Sequence, residues 1–186
     1  MSYLKGVPRT DCRRGSGFSS LELVVVILII SILLVIAIAK LWTLQVDAER
    51  VAMDQVVGSL RSAIGIDVAS YLVVGDLAGL RSLDGSNPMD RLAQVPKNYL
   101  GTLNAINPAD MVGGAWYFDT QNKTLVYQVR NQDYFRGGFG KPARVRFKLE
   151  VVYEARGQRG VGGVNENEIA GATLVALDPY EWIYKE

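Results

Sequence analysis

The chain has 186 residues, room for one membrane segment and one globular domain of ordinary size but cramped for two domains. Its 20 Lys and Arg face 19 Asp and Glu, so the overall charge gives it no electrostatic reason to seek nucleic acid. There is no His and the one cysteine is Cys12, which excludes an intramolecular disulfide, a Ser-His-Asp triad, a Cys-His pair and a His-containing zinc site.

The charge is unevenly spread. Residues 1–17 hold Lys5, Arg9, Arg13 and Arg14 against Asp11, a net +3, which leaves the remainder at −2. A basic head directly before an apolar run keeps the head in the cytoplasm and sends the following segment across the membrane. From Leu21 to Ala39 the run reads LELVVVILIISILLVIAIA, broken only by Glu22 and Ser31 and closed by Lys40. Counted from Phe18 it would form a helix about 33 Å long, which matches a hydrocarbon core of about 30 Å.

An ordinary cleaved signal peptide has a core of about 7–15 apolar residues before an A-x-A-like site. This run is longer, although Ala37-Ile38-Ala39 has the form of such a site. Glu22 is the residue a plain anchor avoids, since a carboxylate at a helix centre costs about 2.5–3.5 kcal/mol. It lies one turn from the end, where snorkelling lowers that cost and an interfacial charge is one reading.

The text before the run is more specific: Gly15-Ser16-Gly17-Phe18-Ser19-Ser20-Leu21-Glu22. A short basic leader ending in Gly, then Phe, then Glu as fifth residue after that Gly, inside an apolar helix, resembles the class III leader of type IV prepilins and type II secretion pseudopilins. The resemblance covers about residues 12–40. It implies that a prepilin peptidase/methylase cuts after Gly17 and methylates Phe18 as the new N-terminus. It further implies that Phe18 and Glu22 are the assembly residues, the carboxylate of an incoming subunit pairing with the amine of a neighbour. The chemistry suits those roles: Gly has no side chain to obstruct a tight peptidase site, and an ion pair in a low-dielectric setting fixes register because an unpaired partner is heavily penalised. The partners implied are other pilin or pseudopilin subunits, membrane lipid, and an inner-membrane platform protein with a cytoplasmic assembly ATPase. No nucleic acid, metal, cofactor or catalytic residue is implied. The place implied is the bacterial inner membrane, crossed once, with the N-terminus cytoplasmic and the C-terminal domain periplasmic or built into a filament.

Beyond Lys40, Leu41, Leu44, Ala48, Ala52, Val56, Leu60, Ile64 and Val68 recur at three or four residues and predict that the helix continues with one apolar stripe. Asp47, Glu49, Arg50, Asp54 and Arg61 mostly occupy its other faces. Gly75, Gly79, Gly85 and Pro88 mark a connecting region, in which Asn87 caps a short helix with Pro88 in its first turn. Asp84, Ser86, Asn87 and Asp90 offer oxygens to calcium, but their spacing fails the EF-hand pattern and favours a turn and cap.

Strands are expected at residues 115–118 and 124–129, joined as a hairpin, and over the alternation from Val145 to Val151. A fourth is expected from Ala172 to Leu177, with Trp182 and Tyr184 closing an edge. Between them Gly157, Gly160, Gly162 and Gly163, with Asn165, Glu166, Asn167 and Glu168, read as a surface loop, with an oxygen-rich metal loop as the weaker option. Gly140-Lys141-Pro142 lacks the earlier Gly and the Ser/Thr of a phosphate-binding loop.

The organisation expected is a cleaved leader at 1–17, a transmembrane helix at 18–39, its amphipathic continuation at 40–72, and an αβ-loop and antiparallel sheet at 73–186. The fold class is α+β and pilin-like, a long N-terminal helix with its first half in the membrane, packed on a small antiparallel sheet. The function this predicts is a non-enzymatic subunit of a pilus-like filament. The chain departs from the family in having no proline along the membrane helix, and it has no C-terminal disulfide loop. Both departures favour a type II secretion pseudopilin over a minor or MSHA-like pilin of a surface pilus. The reading from another class is a binding or enzymatic domain on a simple anchor.

Overall fold

The structure, a computed structural model, describes residues 19–104, 107–155 and 167–183. The leader and Phe18 lie outside them, as do Tyr184 and most of the glycine-rich loop. The first element, α1, is a helix of 55 residues, Ser20–Val74. Ser19 begins it: its hydroxyl oxygen accepts from the Leu21 N–H at 3.2 Å and its carbonyl from the Leu23 N–H at 3.0 Å, which satisfies donors that a helix start leaves free. The chain divides into two compact units after Trp42.

In the first unit Ser20–Ile38 is long and apolar enough to cross a membrane, and none of it is buried by protein. Its β-branched residues are indifferent helix formers in water. In lipid the helix is one of the few structures that satisfies its own backbone.

In the second unit α1 buries Val46, Met53, Val57, Leu60 and Ile64. Leu60 and Ile64 fall on the expected stripe, and Val56 and Val68 pack against the same core. Leu44, Ala48 and Ala52 do not: they face outward, Leu44 with 61% exposure. Two apolar stripes run along this stretch of sequence, and the packing of Val46 and Met53 decides which one turns inward. The helix ends at Gly75, whose φ of +75° lets the chain reverse so that the Asp76 N–H returns to the Tyr71 carbonyl at 2.9 Å. Asp76 then caps a short helix, α2, Leu77–Arg81, inside the region expected only to connect. Asn87 caps the 3-10 turn Pro88–Arg91 by accepting from the Met89 N–H at 3.1 Å, as the sequence predicts.

Among the described residues seven strands follow: β1 Tyr99–Leu103, β2 Trp116–Asp119, β3 Thr124–Gln128, β4 Phe135–Gly137, β5 Arg144–Ala155, β6 Asn167–Ala176 and β7 Tyr180–Trp182. Five form one sheet in the order β1-β2-β3-β5-β6. The β2–β3 hairpin and the alternation on β5 are as expected, with Val145, Phe147 and Leu149 buried.

Two expectations are corrected. The sheet is mixed rather than antiparallel, because β1 runs parallel to β2. Trp182 does not close an edge of that sheet, because β7 pairs with β4 in a separate two-stranded sheet. There Phe135, Tyr180 and Trp182 pack ring on ring, and Tyr180 meets Phe147. The class is α+β, a long N-terminal helix packed on a mixed sheet.

The loop after α2 is tied to β5. The Gly85 N–H donates to the Leu149 carbonyl at 2.8 Å and the Val151 N–H to Asp84 Oδ1 at 3.3 Å. Trp116, Leu125, Phe147 and Leu149, all at most 1% exposed, form the sheet's contribution to the core shared with α1.

Candidate functional site

Gly17 and Phe18 lie outside the described residues, so of the predicted site residues only Glu22 can be placed. It stands in the first turn of α1, exposed, three residues after Ser19. Ser19-Ser20-Leu21-Glu22 has the S-x-x-E spacing of a capping box, a second local role for the same carboxylate. A carboxylate at this end of a helix also faces the positive end of the macrodipole. The structure does not make that box's reciprocal bonds, since Ser19 Oγ accepts from the Leu21 N–H and Glu22 accepts none among the described residues, so the macrodipole is the local effect that favours Glu22 where it is.

The other polar residue of the span is accounted for within the helix, since the Ser31 hydroxyl donates to the Ile27 carbonyl at 2.7 Å. Glu22 has no hydrogen-bond or ion-pair partner among the described residues. It is the one charge in the apolar stretch Ser20–Ile38.

A second carboxylate is the opposite case. Glu49 sits on the part of α1 that belongs to the second unit and reaches the end of β3. Its Oε1 accepts from the Tyr127 hydroxyl at 2.9 Å and from the Arg130 N–H at 2.6 Å. Its Oε2 accepts from the Asn131 N–H at 2.9 Å and from Asn131 Nδ2 at 2.6 Å. Burial first, then the neighbouring carboxylate, pushes the Tyr127 phenol well above its usual range. A cleft of about 250 Å³ beside it is lined by Gln45, Ala48, Asn98, Gly114 and Arg130 among others. With each oxygen accepting two hydrogen bonds, Glu49 clamps the helix to the sheet. The sequence placed it among solvent-facing helix charges, and its partners are 78 to 82 residues away.

The oxygens offered to calcium are spent on structure. Asp84 holds Val151, Ser86 donates to the Leu83 carbonyl, and Asn87 caps Met89 while donating to Asp90 and to Tyr99. Among the described residues no group of three or more Asp, Glu, Cys or His is placed to hold a metal ion. Lys141 of the Gly-Lys-Pro sequence pairs with Asp133 at 2.7 Å. The weaker metal loop at Asn165 and Glu166 lies outside the described residues.

Compared with known protein families, curated proteins and solved structures, the chain matches none of them.

Proposed function

We propose that the chain is a structural subunit of a pilus-like filament, a pseudopilin of a type II secretion system, processed after Gly17 and assembled through its N-terminal helix. The observation that supports this reading above others is Glu22: an exposed carboxylate without a partner among the described residues, one turn inside an apolar helix, four residues after Phe18. Cleavage on the cytoplasmic side of the run keeps the apolar helix in the mature protein and creates a positively charged α-amino group on Phe18. That amine on one copy is the counter-charge for Glu22 on the next. In lipid the pair sets the axial offset, because either charge alone is costly there. The missing membrane-helix proline favours the secretion system over a surface pilus. The energy for assembly comes from a cytoplasmic ATPase acting through an inner-membrane platform protein.

The test begins with mass spectrometry of the N-terminus purified from membranes, where a chain starting at methylated Phe18 is expected. Glu22→Gln then separates the two roles open to this side chain. Glutamine serves a capping box as glutamate does, so a capping residue tolerates the change. An ion-pairing residue does not: cleavage and insertion stay normal while co-purification with filament subunits is lost. Normal incorporation of Glu22→Gln, or a mature protein retaining residues 1–17, defeats the proposal.

A further inference from the structure

The five-stranded sheet ends on β1 at one side and β6 at the other. Among the described residues no backbone hydrogen bond from outside the sheet reaches Leu100–Thr102 or Ala172–Ala176. Neither edge is defended in the usual way, by charge or proline: one reads Tyr99-Leu100-Gly101-Thr102-Leu103, the other Ala172-Thr173-Leu174-Val175-Ala176. The register irregularity of β6 lies beyond this segment, opposite Val152 and Tyr153, and that of β1 falls between Tyr99 and Thr102. Leu100 is 49% exposed, and Thr173 is exposed on the opposite edge. β1 is thus uncharged along its five residues, as is Ala172–Ala176, the second half of the ten-residue β6, whose first half holds Glu168.

We infer that these edges pair with each other between copies, β6 of one chain against β1 of the next. The topology decides the direction. β1 and β2 run one way, β3 the other, β5 back again and β6 opposite to β5, so β6 and β1 of a single sheet are antiparallel. Copies set side by side in one orientation, as a filament of the proposed kind requires and on which this inference rests, therefore bring β6 and β1 together antiparallel. That is the pairing the sheet's own neighbours mostly use. The helix-bearing faces of both sheets then stay on the same side. Pairing like edges with the same strand direction would make the ladder parallel and set the helix-bearing face of one sheet level with the opposite face of the other. An edge-to-opposite-edge contact is heterologous, so each added copy leaves a fresh edge and the assembly propagates. Five residues of ladder are a weak contact for freely diffusing proteins. For chains confined to one bilayer the pairing is effectively intramolecular and gains from the high local concentration.

The experiment uses the full-length chain in membranes with Cys12→Ser, as two copies carrying different tags. One copy has Leu100→Cys and the other Thr173→Cys, joined by mild oxidation or a short bismaleimide. Both positions are exposed, and each variant is checked for the parental thermal midpoint. The mixed pair is expected to cross-link at least several-fold more than either variant alone, and Val175→Lys in the Thr173→Cys copy to reduce that product several-fold. Thr173→Cys cross-linking mainly to itself, to a different protein, or to nothing overturns the inference. The N-terminus is read from the same membranes. Cleavage after Gly17 without a mixed product sinks the edge pairing alone, whereas a mixed product on a chain that keeps its leader sinks the pilin reading alone.

Discussion

Glu49 and Glu22 are both carboxylates of α1, and the difference between them is what surrounds each. Four donors converge on Glu49. Removing the carboxylate leaves the N–H groups of Arg130 and Asn131 and the Tyr127 hydroxyl without an acceptor, and hydrogen bonds to a charged group contribute about 1.5–3 kcal/mol. Glu49→Ala is expected to cost about 2–3 kcal/mol in urea unfolding. Glu49→Gln is no milder, because its amide would present donors where Asn131 already presents two. A loss below about 0.5 kcal/mol, the range of ordinary surface changes, would show that the clamp carries nothing. Tyr127 adds a pH signature. Its folded phenol holds its proton more tightly than the unfolded one, whose reference value is 10.0. Its contribution is intact below that value and is lost as pH rises from there toward the raised folded value. Tyr127→Phe is therefore expected to flatten the fall of stability with alkaline pH, measured as urea midpoints on both sides of the phenol's ordinary range. An unchanged slope would mean that its proton is not linked to folding. Of the two acids only Glu22 draws a proposed role from the sequence, since that role refers to Phe18, four residues away. The meaning of Glu49 depends on closure of the fold.

The same contrast holds for elements. Local patterns gave the helix, the β2–β3 hairpin, the long β5 and the Asn87 cap, because each is written in consecutive residues: an uninterrupted apolar run, a polar connector, an alternation, an Asn-Pro pair. β1 was missed because Gly101 with φ +90° interrupts its apolar sequence, and its partner β2 is reached only through a parallel crossover. α2 was missed because five residues carry too little periodicity to read. The inward face of α1 was half right. Leu60 and Ile64 are buried at 0% and 2%, while Ile66, two residues on, is 70% exposed. This contrast yields a direct test. Leu60→Ala is expected to destabilise by about 2–5 kcal/mol, the transfer loss plus the cavity left behind. Ile66→Ala is expected to stay within about 0.5 kcal/mol. Equal effects in chemical denaturation would put the helix face in the wrong register.

At the scale of the whole molecule the division after Trp42 separates two kinds of stability. Ser20–Ile38 has no protein burial and is long and apolar enough to cross a membrane, a setting in which a helix satisfies its own backbone bonds. The second unit holds every buried core residue among the described residues, from Val46 to Trp182, and a domain of its size buries most of the surface its unfolded chain exposes. A fragment of residues 43–186 should therefore remain in solution without detergent and unfold in a single cooperative transition. Its urea midpoint should match that of the full-length chain in mild detergent, because no core contact has been removed. Glu49→Ala should lower the midpoint by the same amount in both, since all four donors to it, from Tyr127, Arg130 and Asn131, lie in the second unit. A fragment that binds hydrophobic dye and melts without cooperativity would mean that the second unit draws part of its stability from the apolar helix. Under the proposed filament reading, in which the domain persists while the apolar helix passes from bilayer to filament, no such dependence is expected.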